Sequence, residues 1–140
     1  MCVCTSIVNI QINIFNIKKM SLHFSDEDDL LEFFRTSTEG KYLLILKWGA
    51  AWCGPCKEIQ PMFDKLAREN KHDRLKFVSV DIQDMEDVVE DFRVSALPTF
   101  HLVWFSAGGK QHIEHVFTGA DKRKLSNMVQ IGVKFVKKKK

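Results

Sequence analysis

KWGAAWCGPCK, residues 47–57, sets Cys53 and Cys56 three positions apart, between Trp52 and Lys57. Before it runs KYLLILKW (41–48), an apolar stretch of strand length, the kind found in a central strand covered on both faces. After it, CKEIQPMFDKLAREN (56–70) carries Ile59, Met62, Phe63 and Leu66 at helical spacing, interrupted by Pro61, which predicts a kinked helix. The cysteines therefore stand where a buried strand turns into a helix. Such a pair can hold a metal, staple the fold or exchange electrons. A bridge across three residues constrains little of the unfolded chain, so a staple is a weak reading. A structural zinc needs four ligands. His112 and His115 are spaced to complete such a set, but they fall in QHIEHV (111–116), which alternates like an exposed strand. No metal site is expected.

Working outward, the pattern alternates. SLHF (21–24) reads as a short strand. Ser25 followed by Asp28 resembles a capping box, opening a helix over DEDDLLEFFRT with Leu30, Leu31 and Phe34 on one face. LKFVSVDI reads as a strand and MEDVVEDF as a short helix. PTFHLVWF and KQHIEHVF read as two strands of a hairpin that turns at Ser106–Lys110. ADKRKLSNMVQIGVKF closes the chain as a helix with Leu125, Met128, Val129 and Val133 inward. The order βαβαβαββα predicts an α/β domain with helices on both faces of a sheet. There are no internal repeats and no interdomain linker.

The chain has 140 residues, the size of one domain, and is 45% hydrophobic and 28% charged, which suits a packed core. No apolar run approaches the ~18–20 residues of a membrane span. Of the 21 basic residues, four are Lys137 to Lys140; the other 17 meet 18 acidic residues, so the body is near neutral. That balance argues against a nucleic-acid surface. Residues 1–19, MCVCTSIVNIQINIFNIKK, are rich in Ile and Asn and have neither the charge order of a secretory signal nor the arginines of a transit peptide. We expect an extension over 1–19, a domain over 20–135 opening at Met20, and a disordered basic tail over 136–140. If the natural protein starts at Met20, a cytoplasmic location is expected.

The first turn of a helix offers unpaired N–H groups and the positive end of its dipole. At that place Cys53 favours the thiolate, which is the nucleophile in disulfide exchange. Cys56, one turn on, is close enough to attack a mixed disulfide on Cys53. Gly54 tolerates close approach, and Pro55 suits the first helical turn.

WCGPC at a strand-to-helix junction of an α/β chain resembles the thioredoxin family, over about residues 20–135. Trp52, Cys53, Gly54, Pro55, Cys56 and Lys57 match its active site one by one. Pro61 matches the proline of its second helix. Leu97-Pro98-Thr99 matches the segment whose cis-proline faces the cysteines, and Gly119 the glycine of a third substrate-facing loop. The resemblance implies a five-stranded mixed sheet flanked by four helices, and dithiol–disulfide exchange with protein substrates such as peroxiredoxins. It implies a monomer with no bound cofactor, rereduced by an NADPH-dependent thioredoxin reductase, serving electron transport and cell redox homeostasis. It also implies a substrate groove of Trp52, Ala96, Leu97, Pro98, Thr99 and the Gly119-Ala120 loop. The Gly-Pro dipeptide favours the thioredoxin type over glutaredoxins, disulfide isomerases and tryparedoxins.

One position departs from the family. Lys47 stands where a buried aspartate usually serves the second cysteine in proton transfer. As a snorkelled cation, the favoured reading, Lys47 would stabilise the reduced state; as a neutral amine it would replace the missing base. Elsewhere, Trp48 and Trp104 are expected in the core. His23, His72 and His101 are read as structural or solvated, and Cys2 and Cys4 as bystanders. The alternative function is a non-catalytic binding module using the same groove, which fails to reduce a generic disulfide.

Overall fold

The computed structural model describes residues 21–40 and 42–138. Cys2, Cys4, Met20 and the expected 1–19 extension lie outside the described residues. Five strands, β1 (Ser21–Phe24), β2 (Leu43–Gly49), β3 (Leu75–Asp81), β4 (Thr99–Phe105) and β5 (Gln111–Thr118), form one sheet in the order β1-β3-β2-β4-β5. The first three run parallel, while β4 is antiparallel to β2 and β5 to β4. Four helices complete the order read from the pattern: α1 (Glu27–Gly40), α2 (Gly54–Glu69), α3 (Glu86–Asp91) and α4 (Lys122–Lys138).

The strand β2 is buried along its whole length, as its apolar run requires. Its side chains alternate between two cores. Leu43 and Ile45 meet α2 and α4 through Ile59, Phe63, Leu125 and Val129. Leu44, Leu46 and Trp48 meet α1 and α3 through Leu30, Phe34, Val88 and Phe92.

Several expectations are corrected. The cap of α1 is Asp26, not Ser25: its carboxylate accepts from Asp29 N–H at 3.1 Å and its carbonyl from Leu30 N–H at 3.1 Å. The inward face of α1 is therefore Leu30, Phe34 and Ser37, and Leu31 is 40% exposed. In α2, Met62 is only half-buried and Ala67 takes its place inside. Trp104 is not core but half-buried on the hairpin, stacked on His112 with ring centroids 4.1 Å apart and donating to Glu114 Oε1 at 2.9 Å. A register shift between Leu102 and Val103 leaves Glu114 without a partner in the β4–β5 ladder. At the other end of the chain α4 continues past residue 135 to Lys138, because Val136 still packs in the core. No helix among the described residues is long and apolar enough to cross a membrane.

Candidate active site

Where β2 ends, Cys53 caps α2 with an extended backbone, φ −89° and ψ 111°. Its carbonyl accepts from Lys57 N–H at 3.3 Å, and Cys56 N–H donates to its sulfur at 3.2 Å. Pro55 falls in the first turn, where no N–H is needed. Cys53 and Cys56 are joined in a disulfide with their Cα atoms 5.3 Å apart, so the structure is that of the oxidised protein.

The two sulfurs belong to different spaces. Cys53 borders a groove of about 490 Å³ walled by Trp52, Gly54, Pro55, Ile82, Val94, Ala96 and Leu97. Trp52 stands on its rim, 73% exposed. Cys56, 2% exposed, borders an open rear pocket of about 990 Å³ that also includes Lys47, Gln60, Asp64 and Ser79. Lys57 is exposed at the edge of that pocket.

The Leu97–Pro98 peptide bond is cis, and Leu97 packs against Cys53 and Cys56. Thr99 Oγ1 donates to Ala96 O at 2.6 Å, pinning this loop from within. Gly119, at φ +95°, donates its N–H to Pro98 O at 2.8 Å. A positive φ suits glycine at this turn. Gly119 and Ala120 are thus held at the same corner, but neither they nor Pro98 and Thr99, both buried, line the groove beside Cys53. Ile82 and Val94 do, and sequence patterning did not point to them. Val94 follows α3 in a loop with no signal of its own, while Ile82 is marked only by directly following β3.

Lys47 does not snorkel: it is 5% exposed. A Cβ on Gly49 would lie 3.1 Å from Cys56 Sγ and 3.4 Å from Lys47 Nζ, so amine and sulfur flank the same glycine. Burial pushes the Lys47 amine below the usual lysine range, and the Asp64 charge opposes this only in part. Asp64 is engaged elsewhere. Its Oδ1 accepts from Ser21 Oγ at 3.0 Å and from Gln60 Nε2 at 2.9 Å, while Ser79 Oγ donates to Gln60 Oε1 at 3.2 Å. Among the described residues Lys47 has no ion pair within 4.0 Å.

Two of the histidines have found hydrogen-bond partners, while His112 Nε2 and His115 Nδ1 are buried without one among the described residues. His101 Nδ1 accepts from Trp48 Nε1 at 2.7 Å in the core, and His72 Nδ1 accepts from Arg74 N–H at 3.1 Å. His23 is exposed. Among the described residues no group of three or more His, Cys, Asp or Glu is placed to hold a metal ion.

Comparison with known proteins gives one consistent picture. The thioredoxin family model matches residues 27–131. The thioredoxin of Echinococcus granulosus is 36% identical over 104 residues, covering 74% of this chain and 88% of that protein. The thioredoxin of Equus caballus is 35% identical over 94 residues, covering 67% and 83%. Among solved structures, the thioredoxin NaTrxh of Nicotiana alata superposes with a TM-score of 0.67 at 27% identity, over 80% of this chain and 91% of its own. That of Malassezia sympodialis gives 0.64 at 28% identity, over 81% and 90%. A cysteine pair bridged at the start of a helix, on this sheet and among these relatives, makes the chain a member of the thioredoxin family and a thiol–disulfide oxidoreductase.

Proposed function

We propose that the chain reduces protein disulfides with Cys53 as attacking and Cys56 as resolving thiol. The observation that supports this division most is the separation of spaces: Cys53 borders the apolar groove and Cys56 the pocket behind it. Cys56 N–H is directed at Cys53 Sγ in the oxidised protein, and with the first turn of α2 it favours Cys53 as thiolate once the pair is reduced. The thiolate attacks one sulfur of the substrate disulfide, and the other substrate sulfur leaves with the electron pair. Cys56 then attacks Cys53 Sγ. The Cys53–Cys56 bond forms, the bond from Cys53 to the substrate breaks, and the second substrate sulfur leaves reduced. Two electrons have passed to the substrate, and the protein ends with the disulfide described above. Both sulfurs are present and already bonded to each other, which a binding-only module does not need.

An apolar groove beside exposed loop backbone suits an extended peptide carrying the disulfide. Electrons then come from NADPH through thioredoxin reductase, and the clients include peroxiredoxins. The protein works as a monomer in the cytoplasm, where thiols are kept reduced. Family membership supports these assignments. Reduction of the Cys53–Cys56 disulfide by NADPH and purified thioredoxin reductase checks the electron source, and cell fractionation checks the place.

The cysteine roles are tested by trapping. Cys56→Ser accumulates mixed disulfides with client proteins, and Cys53→Ser is inert. Clients trapped by Cys53→Ser instead would reverse the assignment.

A further inference from the structure

Lys47 is a buried amine with no ion pair within 4.0 Å among the described residues. It leaves a central strand into the rear pocket, 5% exposed, and its Nζ flanks Gly49 together with Cys56 Sγ. A Cβ added to that glycine would lie 3.4 Å from Nζ and 3.1 Å from Sγ, so the two atoms border the same small space. The groups that face this space are His23 from β1, Lys57, Asp64 and Arg68 from α2, and Ser79 and Asp81 from β3. Asp64 is the carboxylate that influences the amine, and its Oδ1 is bound by Ser21 and Gln60. The oxidised pair offers Lys47 no anion, since a disulfide carries no charge. Opening of the disulfide makes a thiol proton available at Cys56, and an anion there once that proton is lost.

We infer that Lys47 is the proton acceptor for Cys56 in the resolving step, and this rests on the assignment of Cys53 as attacking thiol and Cys56 as resolver. In the mixed disulfide Cys56 is a buried thiol, and a thiol of ordinary acidity is only about 3% ionised at pH 7. The Cys56 S–H proton passes to Lys47 Nζ, leaving thiolate and ammonium. The Cys56 sulfur forms its bond to Cys53 Sγ, the bond from Cys53 to the substrate sulfur breaks, and that sulfur leaves with the electron pair. The ammonium then loses its partner and gives its proton to solvent through the open rear pocket. Desolvation supports the cycle, because it lowers the amine's affinity for the proton while the disulfide is intact.

The test uses the whole reduced chain and Ellman's reagent, an aromatic disulfide, in stopped flow with equimolar reagent. The first release of coloured thiolate reports attack by Cys53, and the second reports resolution by Cys56. Lys47→Met is expected to slow the second release by roughly tenfold or more near pH 7 and to leave the first release unchanged. Its profile should meet that of wild type above about pH 10, where a thiol ionises unaided. Lys47→Asp, which can accept a proton, restores part of the rate. Lys47→Arg, which keeps the charge but cannot act as a base, does not. A second release that is unchanged in Lys47→Met, or fully restored by Lys47→Arg, overturns the inference. If wild type shows no second release, the cysteine assignment itself falls, and the role of Lys47 with it. A merely structural role would slow both releases together and leave the pH profile in place.

Discussion

Placing an amine in the interior without an anion costs free energy, and Lys47 meets that cost at 5% exposure. Its folded-state pKa is lowered, so the unfolded chain binds the proton more readily. The unfavourable contribution of Lys47 to stability is therefore absent well above pH 10.5 and grows as pH falls through 10.5 towards the folded value. Lys47→Met should raise the stability of the oxidised protein at pH 7, with a smaller gain at pH 9.5. Urea unfolding at the two pH values checks this, and a less stable methionine variant at pH 7 would show the amine to be well satisfied. Cys53 and Cys56 were legible in the sequence because their chemistry depends on local position, three residues apart at a helix start. Lys47 was legible only as an anomaly. Asp64, Gln60 and Ser79 come from two other elements, and nothing local announces that they share its pocket.

At the level of elements, the order of strands and helices followed from periodicity, and the errors fell where tertiary contacts choose between adjacent candidates. Ser25 and Asp26 both cap well, and the geometry of the turn selected Asp26. The β4–β5 pairing contains a shift that its alternating pattern conceals. The groove is a further case, because the end of β3, the start of α2 and the loop after α3 meet there from three parts of the chain. Ala96 is exposed on that loop, so a larger side chain costs the fold little, while its carbonyl is held by Thr99. Ala96→Glu places a solvated carboxylate beside an apolar docking surface and should weaken a protein substrate far more than a small aromatic disulfide. The kcat/KM ratio for the two substrates measures this, with about tenfold loss expected for the protein substrate alone. Ala120→Glu, outside the groove wall, should have the smaller effect. The opposite ranking would move the docking surface to the Gly119-Ala120 loop.

Across the whole molecule the sheet divides two cores, and one of them contains a titratable link. Trp48 on β2 donates to His101 on β4, 53 residues later, beside Phe92. No pattern in the sequence joins the two, since each follows the inward alternation of its own strand. His101 is 3% exposed, and burial lowers its pKa from 6.5 to about 4. Below pH 6.5 the unfolded chain takes up a proton that the folded chain refuses. The stability held by neutral His101 is therefore fully present above about pH 6.5 and is lost as pH falls to about 4. The total loss amounts to about 3 kcal/mol if the whole shift is realised. His101→Gln removes the titration and keeps an acceptor for the indole. Unfolding in urea at pH 7.5 and pH 4.5 should show wild type losing about 2 kcal/mol more than His101→Gln across that interval. Carboxylates and Lys47 titrate equally in both proteins and cancel in the comparison. Equal losses would mean that His101 is already solvated in the folded state, and that the core on that face opens to water.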